Sequence, residues 1–136
     1  MQETRERETG IQTIGLRKVA VGMPAVLGTN RQGEVISGIR KRFVADDEIF
    51  IGTTNLAGDG QADLLAHGGV DKAVYCYPSD HYAWWAAEHG YSGIEGLAPF
   101  GENLSTVGVD ETDVCIGDIW RWGEAVMQVS QPRWPC

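Results

Sequence analysis

Alternation of apolar and polar residues predicts a strand near the end of the chain. Residues 126–130 read VMQVS, the pattern of a strand with one buried face. Pro132 and Pro135 follow, and neither can continue a hydrogen-bonded ladder. Each proline also favours extended geometry in the residue before it, so the segment is stiff. We therefore expect Arg133 and Cys136 to be held in fixed positions at the end of this strand, as a binding site requires.

Shorter apolar runs predict further strands. They occupy residues 19–21, 25–27, 33–40, 49–51 and 73–77. A hairpin is predicted where residues 119–122 and 125–129 flank a two-residue loop that begins with glycine. The 18 glycines suit turns and tightly curved sheets better than helices. Together these features predict a mostly β protein, a β-barrel with one or two short helices.

One helix is predicted after the strand at residues 73–77. Pro78 suits a first helical turn, and Ser79 and Asp80 favour a helix start. Aromatic and small residues then recur at helical spacing as far as Gly90, which provides a stop. Residues 55–69 are rich in glycine and polar side chains, so they predict a loop.

Composition limits the class of protein. A chain of 136 residues predicts one domain, and we assign residues 1–10 to a disordered polar tail and residues 11–136 to that domain. The sequence has no apolar run of membrane-spanning length and no signal peptide, so we expect a cytoplasmic protein. The net charge of −8 disfavours nucleic acids and anionic membranes as partners.

A candidate reactive thiol lies three residues after Arg133. A nearby cation favours the thiolate of Cys136, the form that binds metals or attacks substrates. Thiolate is also a preferred ligand of soft, redox-active metals. Cys76 and Cys115 lie in or beside apolar runs, where small buried side chains are expected.

Three further polar groups allow more than one interpretation. His67-Gly68-Gly69 with Lys72 fits an anion-binding nest, and it fits a turn with a solvated lysine equally well. The basic run around Lys41 fits a solvated strand end, or a phosphate pocket if it lies opposite Arg133. Glu102 and Asn103 follow a glycine and suit either a strand start or a turn.

Five ordered motifs together resemble the MOSC domain, the C-terminal domain of molybdenum-cofactor sulfurases, and within it the YiiM-like branch. They are GDGQAD at residues 58–63, HGGVDKAVYCYP at 67–78, FGENL at 100–104, GD at 117–118 and QPRWPC at 131–136. The resemblance implies a barrel of the pyruvate-kinase-barrel type. It also implies that members continue beyond the cysteine, so we expect the last part of the barrel and a following helical domain to be missing here.

The resemblance further implies a molybdenum cofactor, Mo-molybdopterin. Cys136 would be both metal ligand and catalytic residue, and Lys41, Lys72 and Arg133 would hold the pterin phosphate. His67, Asn103 and Glu102 would line the pocket.

The implied activity is reduction of N-hydroxylated compounds such as hydroxylaminopurine, with electrons from a partner reductase. Two alternatives stay open: a domain that carries sulfur as a persulfide on Cys136 or otherwise handles the cofactor, and an inactive barrel fragment. A homodimer also stays open.

Overall fold

The computed structural model describes residues 11–91 and 98–133. The predicted tail at residues 1–10 lies outside this range, as does Cys136. The described residues form eight strands and two short α-helices, which confirms the mostly β prediction. The strands are β1 (Gly15–Val21), β2 (Ala25–Asn30), β3 (Gly33–Ser37), β4 (Arg42–Phe43), β5 (Cys76–Pro78), β6 (Leu104–Val107), β7 (Ile119–Trp122) and β8 (Ala125–Gln128). The helices are α1 (Leu64–His67) and α2 (Tyr82–His89), and 3₁₀ turns occupy Val70–Lys72 and Ser79–His81.

A four-stranded sheet in the order β4-β1-β6-β5 forms the centre of the fold. β1 pairs antiparallel with β4 and β6, and β5 pairs parallel with β6, with Cys76 opposite Leu104. Two separate antiparallel hairpins, β2–β3 and β7–β8, accompany this sheet. The ladders among the described residues thus give three sheets and do not join them into one closed ring.

The buried apolar side chains cluster around this central sheet. Among the described residues they are Ala20, Val21, Leu56, Tyr82, Leu104 and Val109. The two hairpins contribute none of them, and they keep large apolar side chains such as Val26, Ile36 and Val126 at the surface. In the part of the chain that the structure describes, neither helix has the length and apolar content needed to cross a membrane.

The hairpin between β7 and β8 forms as predicted. Gly123 adopts φ 59°, while Glu124 does not have a positive φ. This combination fits a tight hairpin turn in which the first loop residue must be glycine. The pairing of Trp122 with Ala125 closes the loop, although β8 ends at Gln128, one residue before the predicted limit.

Several element boundaries differ from the predictions. Residues 49 and 50 form no strand, and Ile51 makes an isolated bridge with Leu56. Pro78 ends β5 instead of starting a helix, since its ψ of 109° is extended, and α2 begins after the 3₁₀ turn. The segment predicted as loop contains α1, because the Asp63 carboxylate caps it by accepting from the backbone N–H groups of Leu65 and Ala66.

Candidate functional site

The segment that follows β8 is anchored against the 3₁₀ turn at Val70–Lys72. The Ser130 hydroxyl donates to the Asp71 carbonyl at 2.5 Å, and the Gln131 side-chain amide donates to the same oxygen at 3.3 Å. Two residues later, the Arg133 guanidinium carbon lies 4.6 Å from the centroid of the Tyr75 ring. The stiff segment predicted from the prolines therefore meets the HGGVDKAVY motif across the fold.

The charges of Arg133 and Lys72 both act on a further side chain of that motif, His67. Burial lowers the pKa of His67, the charges of Arg133 and Lys72 lower it further, and Asp63 partly opposes them. The Lys72 ammonium donates to the carbonyl of Ala66, one residue before His67. We call His67, Lys72 and Arg133 the cation cluster, in which Lys72 and Arg133 carry the charge. All three are predicted site residues, and the charges of Lys72 and Arg133 each act on His67.

Asn103 fixes the backbone of Tyr75, the residue whose ring contacts Arg133. Its side-chain oxygen accepts from the Tyr75 backbone N–H at 3.0 Å, and its side-chain nitrogen donates to the Ala20 carbonyl at 3.0 Å. Its backbone N–H also donates to the Tyr75 carbonyl. The buried amide thus joins β1 to the residue that precedes β5. A direct contact between Asn103 and a cofactor stays a prediction.

Lys41 lies in a different environment. Its side chain is 6% exposed, and its ammonium is 2.6 Å from an oxygen of Asp59, whose side chain is 1% exposed. The same oxygen accepts from the Gly22 backbone N–H at 2.9 Å. Gly22 permits this arrangement, since a Cβ there would lie 2.1 Å from the Arg40 carbonyl oxygen. No hydrogen bond or ion pair between described residues joins Lys41 to the cation cluster, so its role as a phosphate anchor stays a prediction.

Glu102 belongs to a buried polar group with Tyr82 and Ser105 that no sequence pattern predicted. Its carboxylate is fully buried and accepts from the Tyr82 hydroxyl and from the backbone N–H of Phe100. The Tyr82 hydroxyl also lies 3.2 Å from that of Ser105. Burial, then the bond to Glu102, raises the pKa of Tyr82. The helical spacing that positioned Tyr82 gave no signal for its partner, which lies 20 residues away.

Two of the three cysteines, Cys76 and Cys115, lie among the described residues. Cys136 lies outside the described residues, three positions after Arg133. Burial raises the pKa of Cys76 to about 12, which keeps this thiol protonated at neutral pH. Cys115 is half-buried, and its backbone N–H donates to Asp118. Among the described residues, no three His, Cys, Asp or Glu side chains group as metal ligands do.

An open groove lies beside the anchored segment. It has a volume of about 440 Å³ and is lined by Asp71, Ile116, Gly117, Gln128, Val129, Ser130 and Gln131. Two of these residues, Ser130 and Gln131, make the contacts that hold the chain against the Val70–Lys72 turn. None of His67, Lys72 and Arg133 is among the lining residues, and the one charged side chain in the lining is the acidic Asp71.

Comparisons with known proteins agree with the resemblance of the motifs. The chain is 50% identical over 103 residues to YflK of Bacillus subtilis (strain 168), covering 76% of this chain and 45% of that protein. It is 51% identical over 96 residues to YiiM of Escherichia coli (strain K12), covering 70% and 43%. It is 40% identical over 106 residues to a protein of Gibberella moniliformis (strain M3125 / FGSC 7600) named "Reductase", covering 76% and 18%. The chain thus spans less than half the length of these curated relatives.

Solved structures give the same relationship. YiiM from Geobacillus stearothermophilus matches with a TM-score of 0.62 and 33% identity, over 91% of this chain and 53% of that one. YiiM from Escherichia coli matches with a TM-score of 0.60 and 35% identity, over 92% and 49%. The MOSC domain family matches residues 63–136, which include the whole cation cluster. On this evidence, the chain belongs to the MOSC domain family and is similar to its YiiM proteins.

Proposed function

We propose that this chain is the cofactor-binding part of a molybdenum-cofactor oxidoreductase that reduces N-hydroxylated compounds. The observation that carries the proposal is that the charges of Lys72 and Arg133 both act on His67, while Arg133, in the segment that leads to Cys136, lies over Tyr75. These residues all lie in the region that matches the MOSC domain. The name "Reductase" of the Gibberella moniliformis relative supports the class of reaction.

The cation cluster suits the phosphate group of a pterin cofactor. Arg133 offers a planar set of N–H donors that can bind two phosphate oxygens at once, and Lys72 adds a compact positive charge. His67 is favoured in its neutral form, so it adds a hydrogen bond more readily than a charge. In this proposal, Cys136 supplies a thiolate to the metal three residues beyond the phosphate anchor.

The reaction needs two electrons and two protons for each substrate molecule. An N-hydroxylated compound accepts them, its N–O bond breaks, and the amine and water leave. The cofactor supplies this two-electron chemistry when bound, and an electron-donating reductase restores the electrons. The chain itself would hold the phosphate end of the cofactor through Arg133 and Lys72 and so fix the cofactor's orientation. We place this activity in the cytoplasm.

Lys41 is a weaker candidate for the phosphate anchor than Lys72 or Arg133. Its ammonium is already balanced by the Asp59 carboxylate in a buried pair. To bind phosphate, the Lys41 ammonium would have to leave Asp59. The buried Asp59 carboxylate would then have no compensating positive charge. The proposal therefore relies on Lys72 and Arg133.

Cofactor content of the purified chain tests this proposal. The full chain is expressed in a host that makes the cofactor, molybdenum is measured by mass spectrometry, and the pterin by fluorescence after oxidation. We expect both in the wild type and in the control Arg31→Ala, which removes an exposed arginine from the β2–β3 loop. We expect Cys136→Ser to lose molybdenum, and Lys72→Ala with Arg133→Ala to lose the pterin as well.

Two outcomes would reject parts of the proposal. Equal molybdenum in the wild type and Cys136→Ser would reject the ligand, and equal pterin in the double variant would reject the phosphate anchor. Reduction of hydroxylaminopurine with a chemical electron donor tests the reaction class in the loaded protein. A persulfide on Cys136 without molybdenum would instead favour the sulfur-carrier alternative.

A further inference from the structure

Tyr75 provides the surface on which Arg133 lies. The guanidinium carbon is 4.6 Å from the ring centroid, within the range of a cation–π contact. This contact uses the face of the ring and not a hydrogen-bond acceptor. It therefore occupies none of the five N–H donors through which an arginine binds an anion.

Hydrogen bonds fix the backbone of Tyr75 at both its N–H and its carbonyl. Its N–H donates to the Asn103 side chain, and its carbonyl accepts from the backbone N–H groups of Asn103 and Leu104 at 2.8 and 3.1 Å. The ring is half-buried, whereas Arg133 is exposed. An exposed arginine otherwise samples many rotamers, and ordering it on binding reduces affinity. A rigid aromatic surface limits that freedom before the ligand arrives.

We propose that Tyr75 is a positioning residue that holds the Arg133 guanidinium in place to bind an anionic group. This inference rests on the proposed function for the identity of the anion, and it adds a residue that the motifs did not assign to the site. Asn103 takes part indirectly, because it fixes the backbone that carries the ring. Burial raises the pKa of Tyr75 to about 12, so the ring stays neutral and adds no negative charge to compete with the anion.

A merely structural role for Tyr75 predicts something different. If the ring only fills space, any apolar side chain of similar size preserves anion binding. If the ring positions Arg133, its π face is needed and its hydroxyl is not. Tyr75→Phe keeps the face, whereas Tyr75→Leu keeps much of the apolar volume and removes the face.

Binding of inorganic phosphate to the full chain separates these cases. The probe is titrated while NMR follows the Arg133 side-chain N–H and the His67 ring. We expect Tyr75→Phe to match the wild type within about twofold, and Tyr75→Leu to bind about three- to tenfold more weakly, as loss of a cation–π contact implies. Arg133→Ala is the positive control for loss of binding. Urea unfolding shows whether each variant is folded.

Replacement of Tyr75 by pentafluorophenylalanine provides a second test if Tyr75→Leu does not fold. It keeps the ring's shape and removes the negative face, so we again expect weaker binding. Phosphate binding by Tyr75→Leu or the fluorinated variant equal to the wild type would overturn the positioning role, as would equal losses in Tyr75→Phe and Tyr75→Leu. Failure of the proposed anion site is distinct from these results: the wild type would not bind phosphate, or Arg133→Ala would bind it unchanged.

Discussion

Lys41 and Lys72 were both predicted to hold the pterin phosphate, yet they lie in contrasting environments. Lys41 is buried and neutralised by Asp59, with an ammonium–carboxylate distance of 2.6 Å. Lys72 is half-buried, and its ammonium donates to the uncharged carbonyl of Ala66. Its charge remains uncompensated by that contact and lowers the pKa of His67. The comparison shows that the charge of a lysine is neutralised or left uncompensated according to its partner.

The two regions are connected through the central sheet. Asp59 accepts from the backbone N–H of Gly22, the residue after β1, and Asn103 donates to the carbonyl of Ala20 in β1. Asn103 also fixes Tyr75, on whose ring Arg133 lies. The buried polar contacts thus support the elements that present the cation cluster. Substitutions should separate residues that stabilise the fold from residues that supply charge to the cation cluster.

The largest effect on stability is expected from Lys41→Met. Removing one partner of a buried ion pair leaves the Asp59 carboxylate uncompensated, which costs about 3–5 kcal/mol of unfolding free energy. The matched Lys72→Met variant should lose less than about 1 kcal/mol, because it removes one hydrogen bond from a partly exposed ammonium. Urea denaturation monitored by tryptophan fluorescence measures both.

A double substitution sharpens this contrast. Lys41→Met with Asp59→Leu removes both charges, so it should recover much of the stability that Lys41→Met loses. Recovery should be incomplete, since the Gly22 N–H then has no carboxylate to bind. Equal stability losses in Lys41→Met and Lys72→Met would show that the two lysines do not differ as described.

Asn103→Ala should have the next largest effect. It removes the side-chain contacts to Tyr75 and Ala20 and leaves buried backbone groups without partners, at a cost of about 2–4 kcal/mol. Gln128→Ala is a suitable control, because Gln128 is exposed and its side-chain bond to Gly117 is long, at 3.4 Å. The control should change stability by less than about 0.5 kcal/mol. A small change in Asn103→Ala would contradict its connecting role.

The smallest expected effect on stability is the one that comes from the shifted pKa of His67. Burial and the charge of Arg133 lower its pKa below the usual 6.5. The unfolded chain therefore binds more protons than the folded one near and below pH 6.5, and stability falls as the pH falls through this window. Arg133→Gln should raise the pKa of His67, and Lys72→Gln should raise it less. Inorganic phosphate should raise it in the wild type.

NMR titration of the His67 ring checks these shifts. Urea midpoints measured across the same pH range should depend less on pH in Arg133→Gln than in the wild type. An unchanged His67 pKa in Arg133→Gln would mean that Arg133 and His67 do not share one electrostatic environment.

Local patterns predicted the elements whose signals are contained in a few neighbouring residues. The hairpin of β7 and β8 follows from alternation and from Gly123, and α2 ends at Gly90 as expected. The mostly β class follows from the glycine content and the short apolar runs. The family could be named because five motifs occur in one order, and the comparisons confirm it.

Features that depend on distant residues could not be predicted in this way. The parallel pairing of β5 with β6 joins segments 28 residues apart, counted from Cys76 to Leu104. The partners of Lys41 and Glu102 likewise lie 18 and 20 residues away. The short helix α1 was missed because glycine and polar residues surround it, although Asp63 before two leucines is a capping signal. The metal-ligand role of Cys136 stays a prediction.

Diffraction from crystals of the cofactor-loaded full chain, recorded at the molybdenum absorption edge, tests the central claim most directly. We predict an anomalous peak for molybdenum within bonding distance of the Cys136 sulfur, and the pterin phosphate within hydrogen-bonding distance of Arg133 and Lys72. A phosphate bound at the Lys41–Asp59 pair, or molybdenum away from Cys136, would contradict it.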